Sequence, residues 1–159
     1  MVDARTELRR EVDARLRLTS ESRRGPALTH RAWAGPAVAP IVAQARRLLT
    51  EFVAGSVSSD RLGDLRICVS EAVSNAVVHA FDEAGPRGTI TISATLGPDA
   101  VLIVIADDGN GFQISSDRPG LGVGLRLIGT LADSLSVTRG AQGGTEVSIR
   151  FDSGRPHST

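Results

Sequence analysis

The amino-acid sequence predicts an α+β fold, a two-layer α/β sandwich in which a mixed sheet is covered on one face by three helices. In three segments apolar residues recur at three- and four-residue steps, as on amphipathic helices, and elsewhere they alternate or run unbroken, as in strands. The segments come in the order strand, two helices, two strands, helix, two strands, with most strands joined by hairpins. At 159 residues the chain has room for a single sizeable core.

Residues 1–26 are rich in charge and carry only a thin stripe of Ala4, Leu8, Val12 and Leu16, which suits a marginal helix or a mobile arm. The domain itself spans 27–152, and the tail 153–159 is expected to be disordered. ALTHRAW is the first strand, and APIVAQARRLLTEFVAG is an amphipathic helix starting near Pro40 and ending at Gly55. The next helix carries Leu62, Leu65, Val69, Ala72, Val73, Ala76 and Ala80 as one apolar stripe. Glu71, Asn75 and His79 follow one another at steps of four and form a second row roughly opposite that stripe. TITISATL alternates strictly and places Ile90, Ile92, Ala94 and Leu96 on one face. VLIVIA is short and continuously apolar, as a central strand is, and runs directly into DDGNGF. GLRLIGTLADSL is the third helix, and SLSVTR and TEVSIRF are two final strands joined by GAQGG.

Composition excludes several classes of function. The formal net charge is zero, so there is no basic footprint for direct nucleic-acid binding. The one cysteine, Cys68, gives no disulfide or zinc framework and reads as a buried, inert thiol. No apolar run is long enough to span a membrane and the N-terminus has no signal-peptide segment, so a cytoplasmic location is expected. All eighteen basic residues are arginine. The absence of lysine excludes a Walker A loop, an ordinary protein-kinase site and Schiff-base chemistry.

Residues suited to chemistry collect in four places. Glu71 is the one formal charge in ICVSEAVSNAVVHAF, where a solvated helix face would carry several. The strand row Val101, Ile103, Ile105 ends in Asp107, so that carboxylate shares a face with apolar side chains and can close a pocket floor. Gly109 and Gly111 beside it would let a flat ligand lie against the backbone. Gly120, Gly122 and Gly124 stand before or within the first turn of the third helix, where unpaired N–H groups and the helix dipole favour an anion. Thr145 shares parity with Val147, Ile149 and Phe151, which puts its hydroxyl at the edge of an apolar face.

In their order along the chain, EAVSNAVVHAF, DDGNGF, GLGVGLRLI and GGTEV closely resemble the N, G1, G2 and Gly-Thr motifs of the Bergerat (histidine-kinase-like, GHKL) ATP-binding fold. Within that superfamily the compact size and the Glu-Ala-x-x-Asn-Ala-x-x-His-Ala form look most like the anti-sigma factor serine/threonine kinases. The resemblance implies ATP and Mg²⁺ as cofactors. It implies that Asp107, helped by Thr145, accepts from the adenine amino group and that Gly109 and Gly111 admit the base. Asn75 would help hold Mg²⁺, Gly120, Gly122 and Gly124 would wrap the phosphates, and residues 113–119 would form a lid. Glu71 would be the general base. The implied partners are a sigma factor and an anti-anti-sigma (STAS-type) antagonist carrying the acceptor serine, and a homodimer is compatible with them. The alternative is a non-catalytic, ATP-dependent binding module that sequesters a regulatory partner.

Overall fold

The computed structural model describes residues 28–81, 88–111 and 121–153. The expected arm at 1–26, the lid loop at 113–119, Gly120 and the tail beyond Ser153 lie outside the described residues. The elements are β1 (Thr29–Pro36), α1 (Pro40–Val53), α2 (Ser59–His79), β2 (Thr89–Leu96), β3 (Ala100–Asp107), α3 (Leu121–Leu131), β4 (Ser134–Arg139) and β5 (Thr145–Asp152).

The strands form one sheet in the order β1-β2-β3-β5-β4. All four described pairings are antiparallel, so the sheet is not mixed in its neighbours as the sequence had suggested. The reason lies in β5. β3 and β4 do run parallel through the helical crossover α3, but β5 inserts between them and turns each contact antiparallel.

One face of the sheet meets the helices. Trp33, Ile92, Ile105, Val147 and Val137 stand in register across all five strands and belong to this apolar face. Above it, α1 buries Ile41, Ala45, Leu49 and Val53, a repeat of four that keeps one narrow stripe inward. α1 begins with proline in its first turn, where a missing N–H costs nothing, and residues 54–56 turn away at Gly55 with φ of 82°. In α2 the expected stripe is buried from Leu65 to Ala80, with Leu62 half-buried at its margin. Ser58 caps α2 by accepting from the Arg61 N–H, and Asp60 complements the dipole in the first turn. None of the described helices is long and apolar enough to cross a membrane.

α2 also buries a cation that its local residue pattern does not reveal. Arg61 is only 4% exposed. Its guanidinium donates to the Leu131 carbonyl at the end of α3 (2.9 Å), pairs with Asp133, and lies 4.9 Å from the centre of the Phe151 ring. Asp133 also accepts from the Asp152 N–H (2.7 Å), so one ion pair ties α2, the end of α3 and the end of β5 together. Asp133 keeps contact with solvent, but truncating Arg61 empties buried space beside Phe151 and takes the donor from the Leu131 carbonyl. Arg61→Ala should therefore lower stability by about 2–3 kcal/mol in urea unfolding. Arg66→Ala, exposed on the same helix, should change it by no more than about 0.5 kcal/mol.

Candidate functional site

The site forms where β3 and β5 meet and where α2 passes α3. Asp107 ends β3 on the helix-facing side and is buried. Its Oδ1 accepts from the N–H of Gly109 (2.9 Å) and of Thr145 (3.2 Å). Because both donors engage the same oxygen, the side chain is fixed while Oδ2 keeps its acceptor capacity for a ligand. Burial pushes the Asp107 carboxyl above its ordinary value; the two N–H donors work against that rise, and neighbouring Asp108 adds to it. Asp108 itself accepts from the Thr89 N–H (2.7 Å) and pins the start of β2, so Asp107 alone of the DD pair belongs to the site.

The glycine before Thr145 makes this arrangement possible. A Cβ at Gly144 would overlap the Asp107 carbonyl, so only glycine lets β5 start close enough for the Thr145 N–H to reach the carboxylate. Thr145 was singled out for its hydroxyl, yet it is the backbone N–H that holds Asp107. Gly109 also differs from expectation. The space its side chain would fill is taken by Ala80, whose carbonyl accepts from the Asn110 N–H (2.8 Å) and fastens the loop to the end of α2. Gly111 has φ of 82°, so the loop passes through the left-handed region there.

The row Glu71, Asn75, His79 is half-buried throughout. Its first two members face α3. A Cβ at Gly124 would stand 2.8 Å from Glu71 Oε2 and 3.2 Å from Asn75 Nδ2, so the two helices meet here with no room for a side chain between them. Asn75 Nδ2 is buried without a hydrogen-bond partner. An amide left unpaired in this way costs about 1–3 kcal/mol, which a ligand's polar atoms could recover. α3 begins at Leu121, slightly before the expected start, so Gly122 and Gly124 fall in its first turn among the unpaired N–H groups. Gly122 faces open space and Arg126 is exposed.

The described residues thus bring Glu71 and Asn75 to Gly124, and Asp107 to Gly109 and Thr145. They fit a nucleotide: a fixed carboxylate acceptor, a helix start able to take an anion, and a buried amide in need of a partner. Among the described residues no group of three or more His, Cys, Asp or Glu side chains could hold a metal ion alone. A cation held by Asn75 would need most of its oxygens from bound phosphate and water. The Ala80 carbonyl and the Gly144 contact were missed in the sequence, although the paired glycines before Thr145 were a usable signal for the second.

Comparison with known proteins gives a consistent picture. The family model of the histidine kinase-like ATPase domain matches residues 36–151. The sensor histidine kinase PdtaS of Mycolicibacterium smegmatis is 35% identical over 64% of this chain, which spans only 21% of that protein's length. The serine-protein kinase RsbW of Staphylococcus epidermidis is 33% identical over 64% of this chain and 74% of its own. Among solved structures, the RsbU and RsbW domains of Rv1364c from Mycobacterium tuberculosis align with a TM-score of 0.61. That alignment covers 82% of this chain and 34% of the other, and at 22% identity it speaks for the fold alone.

The raised Asp107 carboxyl has a consequence for stability. An acid whose folded pKa lies above its unfolded one adds stability below the unfolded value and loses it as pH rises through the folded value. Asp107→Asn keeps an oxygen for the two N–H donors and has no charge to desolvate. Thermal unfolding followed between about pH 4 and 7 should therefore show the Tm difference moving steadily in favour of the variant; a difference independent of pH would contradict this account of Asp107.

Proposed function

The chain belongs to the histidine kinase-like ATPase domain family, and from that premise we propose that it binds ATP with Mg²⁺ and works in the cytoplasm as an anti-sigma factor. It would phosphorylate a serine or threonine of an anti-anti-sigma antagonist. The observation that carries this is the contact at Gly124, where an acid and a buried, unpaired amide lie against the start of a helix. The similarity to a protein named as a serine-protein kinase, over most of that protein's length, supports the choice of reaction.

Each residue then has a role that suits its surroundings. Asp107 Oδ2 would accept from the adenine amino group, because Oδ1 is already committed to Gly109 and Thr145. Gly109 and Gly111 shape the loop beside the base. Gly120, Gly122 and Gly124 would turn backbone N–H groups towards the phosphates. Asn75 would hold Mg²⁺ through its amide oxygen, once its side chain turns that atom towards the cation. Bound ATP supplies the phosphoryl group for transfer, and Mg²⁺ offsets the charge of the phosphates. Glu71, held beside α3, would orient the acceptor hydroxyl and take its proton. The folded domain would grip a sigma factor, and the STAS-type antagonist would present the acceptor; a homodimer is the assembly we propose.

Two measurements test these roles. Glu71→Gln keeps shape and hydrogen bonding but cannot take the proton. Single-turnover transfer from radiolabelled ATP to the antagonist's serine should slow by about 10² to 10⁴, with ATP affinity within a few-fold of wild type. Equal rates would reject Glu71 as base, and no transfer by the wild-type protein would leave an ATP-dependent binding module in place of a kinase.

Asn75→Ala should remove the Mg²⁺-dependent part of ATP binding by calorimetry while the fold remains intact. Equal affinity of the wild-type protein in chelator and in Mg²⁺ would rule out the metal role.

A further inference from the structure

α2 and α3 run antiparallel and meet at two places. At one, Gly124 stands against Glu71 and Asn75. At the other, near the start of α2 and the end of α3, Arg61 donates to the Leu131 carbonyl (2.9 Å) and pairs with Asp133. Asp133 is in turn locked to β5: its N–H donates to the Arg150 carbonyl (3.0 Å) and its carboxylate accepts from the Asp152 N–H (2.7 Å). From Leu131 back to Gly124 the helix covers only about 10 Å, and fully buried Ile128 fills that interval. The site end of α3 has less to hold it. A Cβ at Gly122 would meet nothing within 4 Å, and Val123 is 73% exposed. The other half of the site is built separately. Asp107 is fixed by the N–H groups of Gly109 and Thr145, at the opposite end of β5 from Asp152, roughly 23 Å along the strand.

We propose that Arg61 is a positioning residue for the phosphate end of the site. By gripping the last turn of α3 it sets where the glycine-rich first turn lies against Glu71 and Asn75, and so how tightly phosphates are held, while adenine recognition at Asp107 is left alone. The role presupposes the nucleotide site proposed above. Arg61 lies about 15 Å from Glu71 along α2 and acts through α3. Gly124 gives the helix contact no side chain that could interlock with α2 and fix its register, so the register must be set elsewhere. A polar clamp suits that task better than an apolar one. An ion pair buried in this way is weak evidence of added stability, because well-packed apolar groups stabilise as much, but its directed hydrogen bonds specify a single register. Arginine meets the geometry: its planar fork reaches the Leu131 carbonyl and Asp133 together, with Phe151 beneath it at 4.9 Å.

ATP and adenosine separate positioning from stability, because adenosine has the base and lacks the phosphates. Affinities are measured by calorimetry on the full chain, at a temperature where circular dichroism shows every variant folded. Arg61→Ala should weaken ATP binding about ten-fold and leave adenosine binding within about two-fold of wild type. Asp133→Ala breaks the clamp from its more exposed side and should show the same split; it decides the matter if Arg61→Ala does not fold. Joining the two changes should weaken ATP no further than Arg61→Ala alone, since both remove one contact. Leu49→Ala, a truncation of comparable cost in the core beneath α1, should move neither affinity. Unchanged ATP affinity in the clamp variants, an equal loss for adenosine, or the same loss in Leu49→Ala would overturn the proposal. A wild-type protein that binds ATP no more tightly than adenosine would instead reject α3 as the phosphate end, and the role of Arg61 with it.

Discussion

Close approach to glycine backbone, with no space for a Cβ, is the constraint on which this site rests. At Gly144 it brings the Thr145 N–H onto Asp107; at Gly124 it brings the first turn of α3 onto Glu71 and Asn75. Glycine is a poor helix former, by roughly 1 kcal/mol against alanine, and α3 contains Gly122, Gly124 and Gly129. The helix must therefore be held by its surroundings. Ile128, fully buried, anchors its middle, and Arg61 grips its last carbonyl and Asp133 just beyond. The end of α3 away from the site is the clamped end, and the end at the site is the one whose sequence resists helix formation.

Much of this was legible in the residues. The stripe of α2, the alternation of TITISATL and the parity of Asp107 with Val101, Ile103 and Ile105 follow from local periods, and local periods survive folding. The order of strands did not follow. A hydrophobic pattern states which side of a strand faces the core but not which strand lies beside it, so the insertion of β5 between β3 and β4 was invisible. Arg61 was hidden for a related reason. At the start of a helix an arginine reads as solvated, and the partners that bury it, Leu131 and Asp133, lie 70 and 72 residues away.

Within the candidate site, backbone atoms do part of the positioning that residue type alone suggests for side chains. The Thr145 N–H fixes Asp107, and the Ala80 carbonyl fastens the loop that Gly109 opens. Neither can be read from residue type, since every residue but proline has the same N–H and every residue the same C=O. What the sequence does record is their shadow, a glycine wherever such an approach leaves no room.

The strand order also bears on how the protein is made. β5 lies between β3 and β4 although it follows both in the chain. A chain emerging from the ribosome exposes its N-terminal segments first, so β3 waits with one open edge, and β4 with no neighbour at all, until residues 145–152 are free. Asp107 meanwhile has only one of its two backbone donors, and the floor of the site is unfinished. A ligand that stabilises only the completed fold acts by mass action on finished chains. Nucleotide would then protect complete molecules and leave those interrupted before β5 open to proteolysis.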